Sequence, residues 1–298
     1  MLEFGEKLTF IPSAMAAHDL ETLRQAGFSE REMVAVTAAA AYRNFITRIA
    51  DGLGVELGTS GAGYYDAAVL HAFGVTGSAV GGSLYADRQE SSNESGPVSR
   101  SNVGPAGARL RNGAGWIGTA AGESTANAAP NATPRSSPEA LRNLAIALSL
   151  KSDTLAATLE FARLIDMGGS GLGNQSEAII GVVVAAVLGL PYLGAHHAQR
   201  LLDTGTPPAD LRALINNPAG ETLGGRERET ARFCEKLTRA PGTMARADVD
   251  TLRAAGFDDR GIVTIVAAAS FANYLGRLAA ALGVPPEAHL SETAQSAI

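Results

Sequence analysis

Two adjacent histidines, His196 and His197, and Tyr192 one turn earlier are the residues of this 298-residue chain best suited to chemistry. An imidazole titrates near neutral pH and can act as general acid or base, and a phenol four residues before His196 shares its helix face. His197 is the leading candidate for proton transfer. His196 turns to a neighbouring face, where a structural or interfacial place is the plainer reading. Adjacent helix positions diverge, and no carboxylate or third histidine stands nearby in sequence, so no metal site is expected. No cofactor is expected either.

Other candidates resolve to structure. Cys234 is the single cysteine, which excludes an intrachain disulfide, a multi-cysteine metal site and dithiol redox within one chain. Its default reading is small-residue packing. The run from Gly168 to Gly173 invites a phosphate-loop reading, but no strand precedes it and no Gly-Lys-Ser/Thr follows, so a loop between helices is expected. A net charge of −6 offers no cationic field for nucleic acid or an anionic membrane. The longest apolar run, Ile179 to Leu190, falls short of the roughly 20 residues a spanning helix needs, and no signal pattern opens the chain, so a cytoplasmic place is expected. Scarce lysine beside abundant Arg, Ala and Gly suggests a GC-rich bacterial genome.

The elements that must position these residues begin with a repeat. Phe4-Gly5-Glu6-Lys7-Leu8-Thr9 returns as Phe233-Cys234-Glu235-Lys236-Leu237-Thr238, and the register holds without a gap through Val55 and Val284. About half of some fifty aligned positions are identical. Each copy reads as a short helix, a turn, a second short helix stopped at Gly27 or Gly256, and a long helix. Ser29 to Glu32 forms a capping box for the first long helix, and Asp258 caps the second. Asn44 with Arg48, and Asn273 with Arg277, recur one turn apart; buried Asn at a helix end and Arg at a subunit contact are the structural expectation.

No segment alternates as a strand, so the fold class is all-α. Residues 1–59 form a half-domain that repeats 230–288. A Gly/Ser/Pro-rich linker fills 60–137, with one helix expected around Tyr64 to Phe73. A complete helical domain spans 138–288, with helices at about 138–151, 153–166, 176–189, 190–203, 208–215 and 224–239 before the second copy. The half-domain cannot bury its own apolar face, which predicts a pseudo-dimer in which both long helices pack together, within one chain or between two.

The stretch from Gly181 to His197, an apolar helix followed by Leu190-Pro191-Tyr192-Leu193 and the His pair, resembles the active-site helices of the carboxymuconolactone decarboxylase and alkylhydroperoxidase (AhpD-like) superfamily, in its peroxidase-related branch. The resemblance covers about 150 residues, and Trp116 resembles the aromatic that pins the family's N-terminal extension. It implies an AhpD-like helical domain with an added half-domain. It also implies that Leu190 and Leu193 stand where relatives carry a cysteine pair, and that His197 is the family histidine. A family glutamate aligns with Ala178; Glu177 is adjacent but turned about 100° away on a helix. Leu190, Leu193 and Ala178 are therefore expected to line a former redox pocket.

Three functions remain open. The first is an enzyme acting on a small organic metabolite through histidine acid–base chemistry of a decarboxylation, isomerisation or cyclisation type. The second is a peroxidase-related activity by family, chemically disfavoured without the dithiol. The third is a non-catalytic binding or scaffold protein. A small-molecule substrate and a homo-oligomer with dimer-like helix packing are the expected partners, with no nucleic acid and no membrane.

Overall fold

Identical local signals fold the two repeats into matching elements. The computed structural model describes residues 1–55, 115–116 and 141–298. The helix expected at Tyr64 to Phe73, and nearly all of the linker, lie outside the described residues. In the first copy α1 (Leu2–Phe10), a 3-10 turn at Pro12–Ala14, α2 (Ala17–Gln25) and α3 (Glu30–Leu53) follow in order. Between the copies run α4 (Arg142–Leu148), α5 (Ser152–Ile165), α6 (Asn174–Leu188), α7 (Pro191–Asp203) and α8 (Pro208–Asn216). The second copy comprises α9 (Gly225–Arg239), a turn at Pro241–Thr243, α10 (Arg246–Ala254) and α11 (Asp259–Leu282), and a short α12 (Glu292–Gln295) follows. All regular structure among the described residues is helical.

The caps are those the sequence calls for. Ser29 Oγ accepts from the Glu32 amide at 3.3 Å while Glu32 accepts from the Ser29 amide at 2.8 Å, and Asp258 accepts from the Gly261 amide at 2.8 Å. α2 and α10 both end in the same motif. Phe28 and Phe257 donate back to Leu23 and Leu252, while Gly27 and Gly256 take φ of 94° and 91°, which a side chain would strain. Lys7 pairs with Asp19 at 2.7 Å, and Lys236 with Asp248 at the same distance, tying the first and second helices of each copy.

α3 and α11 pack along each other at the centre of the molecule, and the two copies grip one another reciprocally. Asn44 Nδ2 donates to Thr9 Oγ1 and Asn273 Nδ2 to Thr238 Oγ1, both at 3.1 Å, joining each long helix to its own first helix. Arg48 Nη1 donates to Asn44 Oδ1 and Arg277 Nη1 to Asn273 Oδ1. Each guanidinium then crosses over: Arg48 Nη2 donates to the Thr238 carbonyl at 3.2 Å, and Arg277 Nη2 to the Thr9 carbonyl at 3.0 Å. These carbonyls lie in the last turns of α9 and α1, where intrahelical donors run out and a cation is favoured. The arginines expected at a subunit contact thus sit at a contact between repeats, because the partner surface lies in the same chain.

α6 and α7 cover the outer side of α11, with α5 beside them and α9 against α6. Asp259–Leu282 is long and apolar enough, by length and composition alone, to cross a membrane, yet 83% of its most apolar window is buried in the protein. Ser270, Asn273 and Arg277 break its apolar run in sequence. Trp116 lies where α11 ends: its amide donates to the Leu282 carbonyl at 2.8 Å and its indole packs flat on Gly283.

Breaking a buried charged hydrogen-bond network costs several kcal/mol. Arg277→Ala is expected to lower unfolding free energy by about 3 kcal/mol in urea titrations, with Arg48→Ala of similar size, whereas the exposed Arg31→Ala stays within about 0.5 kcal/mol.

Candidate functional site

α7 begins at Leu190-Pro191, where proline suits the first helical position because its missing N–H would be unpartnered there. From that start Tyr192, Leu193, His196, His197 and Arg200 share about half the helix circumference. All five line a cavity of about 30 Å3, closed by Leu141 ahead of α4, Asp166 and Met167 after α5, and Leu275 of α11. The structure therefore brings His196, His197, Tyr192 and Leu193 together. Leu190 and Ala178 are not part of this lining and are buried in the core. Leu190 and Leu193 both press on α11 at Gly276, where an added Cβ would lie 2.5 Å from Leu190 and 3.2 Å from Leu193. The glycine makes room for branched side chains bulkier than sulfur.

Each histidine has its own carboxylate. His196 donates Nε2–H to Glu287, whose other oxygen accepts from the Asn143 amide at 2.9 Å and from the Tyr192 hydroxyl at 3.3 Å. The rings of Tyr192 and His196 lie 4.7 Å apart. Burial, with the charge of Glu287 beside it, pushes the Tyr192 phenol well above its ordinary range, so it is a hydrogen-bond donor and not a base. Asn143 Nδ2 also donates to the Pro285 carbonyl at 3.0 Å, which fixes the chain that carries Glu287.

His197 is the more deeply buried imidazole. Its ring lies on α6 against Gly181, where any side chain would intrude on it. Nε2 faces Asp166 at 3.6 Å, too far for a hydrogen bond, and Nδ1 has no partner among the described residues. Burial pulls its pKa down from 6.5 to about 4; Asp166 works against this, while Arg200 and His196 add to it. His197 is therefore neutral at pH 7.

Arg200 links this pair to a second network. It donates to Asp166 at 3.0 Å and to Glu177 at 2.7 Å. Glu177, expected to turn away from the histidines, instead stands one turn before Gly181 on the side of α6 that meets α7; it also accepts from the amides of Gly168 and Ser170 at 2.7 and 3.2 Å and from the Ser170 hydroxyl. The glycine-rich loop does cradle an anion, but the anion is the chain's own carboxylate. Cys234 is fully buried in α9, away from the cavity, and burial drives its thiol far above the usual range. Among the described residues no group of three His, Cys, Asp or Glu converges to hold a metal ion.

Asp166, Arg200, Asn143 and Glu287 were not singled out by the sequence. Glu287 lies 91 residues from His196, so no spacing rule could pair them. The one available hint is local: Pro285-Pro286 stops the helical pattern and holds the following glutamate on an extended stretch.

No protein-family model matches the chain, and no curated protein matches it. Among solved structures it is similar to an uncharacterized peroxidase-related protein from Silicibacter sp. TM1040. That similarity has 28% sequence identity, covers 50% of this chain and 78% of that one, and gives a TM-score of 0.46.

The depressed pKa of His197 makes stability depend on pH. Below about 6.5 the unfolded chain takes up a proton that folded His197 refuses until about pH 4. Stability contributed by the neutral ring is present above that window and lost as pH falls through it, by about 3 kcal/mol in all. In urea titrations at pH 7 and pH 4.5, His197→Gln should lose distinctly less stability on acidification than wild type. Equal losses would show that His197 titrates normally.

Proposed function

We propose that the chain is a divergent AhpD-like protein that acts on a small organic metabolite by histidine acid–base chemistry of a lyase or isomerase type, without dithiol redox. One observation carries the reading: two imidazoles, each beside a carboxylate, line a single cavity together with a phenol that can donate a hydrogen bond. Burying so many polar groups is costly, and an apolar cluster of the same volume would stabilise the fold at least as well. Such clusters concentrate where chemistry is done.

The roles divide by environment. Glu287 holds His196 in one tautomer and leaves Nδ1 to take a proton, as a carboxylate orients an imidazole base elsewhere. Tyr192, whose one hydroxyl proton goes to Glu287, helps hold that carboxylate beside His196. His197, kept neutral, offers a second, weaker base and contributes no positive charge of its own. A thiol-based peroxidase reaction finds no support: Leu190 and Leu193 have no thiol, and Cys234 is remote and held in its thiol form.

One observation favours a second reading, a non-catalytic scaffold. A cavity of about 30 Å3 has room for about one water, too little for a metabolite unless its lining rearranges. Turnover of a panel of small hydroxy acids, oxo acids and lactones separates the two. Any activity found should fall at least about 100-fold in His196→Ala and in Glu287→Gln, the usual scale for removing a general base or its orienting partner. Activity indifferent to His196→Ala and to His197→Ala would remove the proposed roles, and an alkyl hydroperoxide should not be consumed by wild type or by Cys234→Ser.

A further inference from the structure

The two repeats share their elements but not their surroundings. In the C-terminal copy the outer side of α9 and α11 lies beneath α5, α6, α7 and the loop ahead of α9. At the equivalent positions of the N-terminal copy that side is open. Leu2 is 85% exposed where its equivalent Ala231 is 0%, Tyr42 is 53% against 2% for Phe271, and Ile46 is 37% against 2% for Leu275. Ala39 is likewise exposed where Ala268 is buried. Of nine large apolar side chains exposed among the described residues, seven fall within residues 1–55, so the patch belongs to this half. Contiguous apolar surface of this kind marks an interaction site.

The charges around the patch say what covers it. Arg43 stands within the α3 stripe where α11 has Ala272, and Glu3 and Glu6 stand on α1 beside it; all three are exposed and none makes an ion pair among the described residues. A patch with an apolar centre, a cation on one helix and anions on the next is complementary to itself under a twofold rotation, which sets Arg43 of one copy against Glu3 and Glu6 of the other. It also continues the internal interface, since α3 already packs on α11 with its opposite side. We propose that this face joins two copies of the chain about a twofold axis. The internal pairing of α3 with α11 makes each copy a pseudo-dimer, and the second contact adds to it.

Sedimentation equilibrium of the full chain from about 1 to about 100 μM, where a modest face associates, tests the proposal. The expected result is a reversible rise from the 30.5 kDa chain mass to twice that value. Tyr42→Glu with Ile46→Glu should weaken the dimer at least tenfold. Arg43→Glu should weaken it too, and adding Glu3→Lys and Glu6→Lys to Arg43→Glu should restore it, a rescue that a misfolded variant cannot give. A wild-type monomer throughout would overturn the proposal, since the face would then be covered by the chain's own residues 56–114 or by another protein. A dimer unaffected by Tyr42→Glu with Ile46→Glu, or an assembly of more than two chains, would overturn it equally.

Discussion

The rest of the structure depends on one reciprocal hydrogen bond, made twice: a buried arginine of each long helix accepted by the last-turn carbonyl of the other repeat's first helix. A guanidinium has several donors in a fixed plane, so one side chain can serve its own helix and a neighbour together. Here one nitrogen holds the asparagine a turn earlier, which in turn holds the threonine of its own first helix, and another crosses to the opposite copy. The last turns of both first helices are thereby referenced to the α3–α11 axis. Because the arginines are buried, neither half can separate without stranding charge and carbonyls at once.

That axis sets the site. With α11 fixed in the middle, its outer side is the floor on which α7 lies, and Gly276 decides how closely Leu190 and Leu193 approach. Gly181 decides the same for His197 on α6. Two glycines on two helices thus let this turn of α7 approach both α6 and α11 closely, which places the histidines. The carboxylates come from outside this frame: Asp166 from the end of α5, Glu287 from the stretch after α11. The cavity stands at their meeting point.

The legible parts of the sequence were those with local causes. The repeat, its capping residues and the glycine stops specify matching helices because each signal acts within a turn of where it stands, and both copies obey it. His196, His197 and Tyr192 were legible for the same reason, as residues one turn or less apart on one helix. Glu287, Asp166 and Asn143 were not, because their meaning lies in a contact made across many residues by a chain already folded. Arg48 and Arg277 fall between: recurrence marked them as important, but only the docking of one copy on the other shows what each holds.

Leu190 and Leu193 fill the wall of the site that faces α11 with apolar volume. Gly276 leaves room for both side chains, so this wall contributes packing and carries no reactive group. Were the whole site structural, packing alone would favour apolar residues at 196, 197, 200 and 287. Instead these positions hold two imidazoles, a guanidinium and a carboxylate, each buried or half-buried and bound into networks that join α5, α6, α7 and the chain beyond α11. Polar networks of that extent contribute less to stability than the apolar clusters that could replace them. Their presence beside an apolar wall on the same helix is the physical reason to read the site as a place for protons.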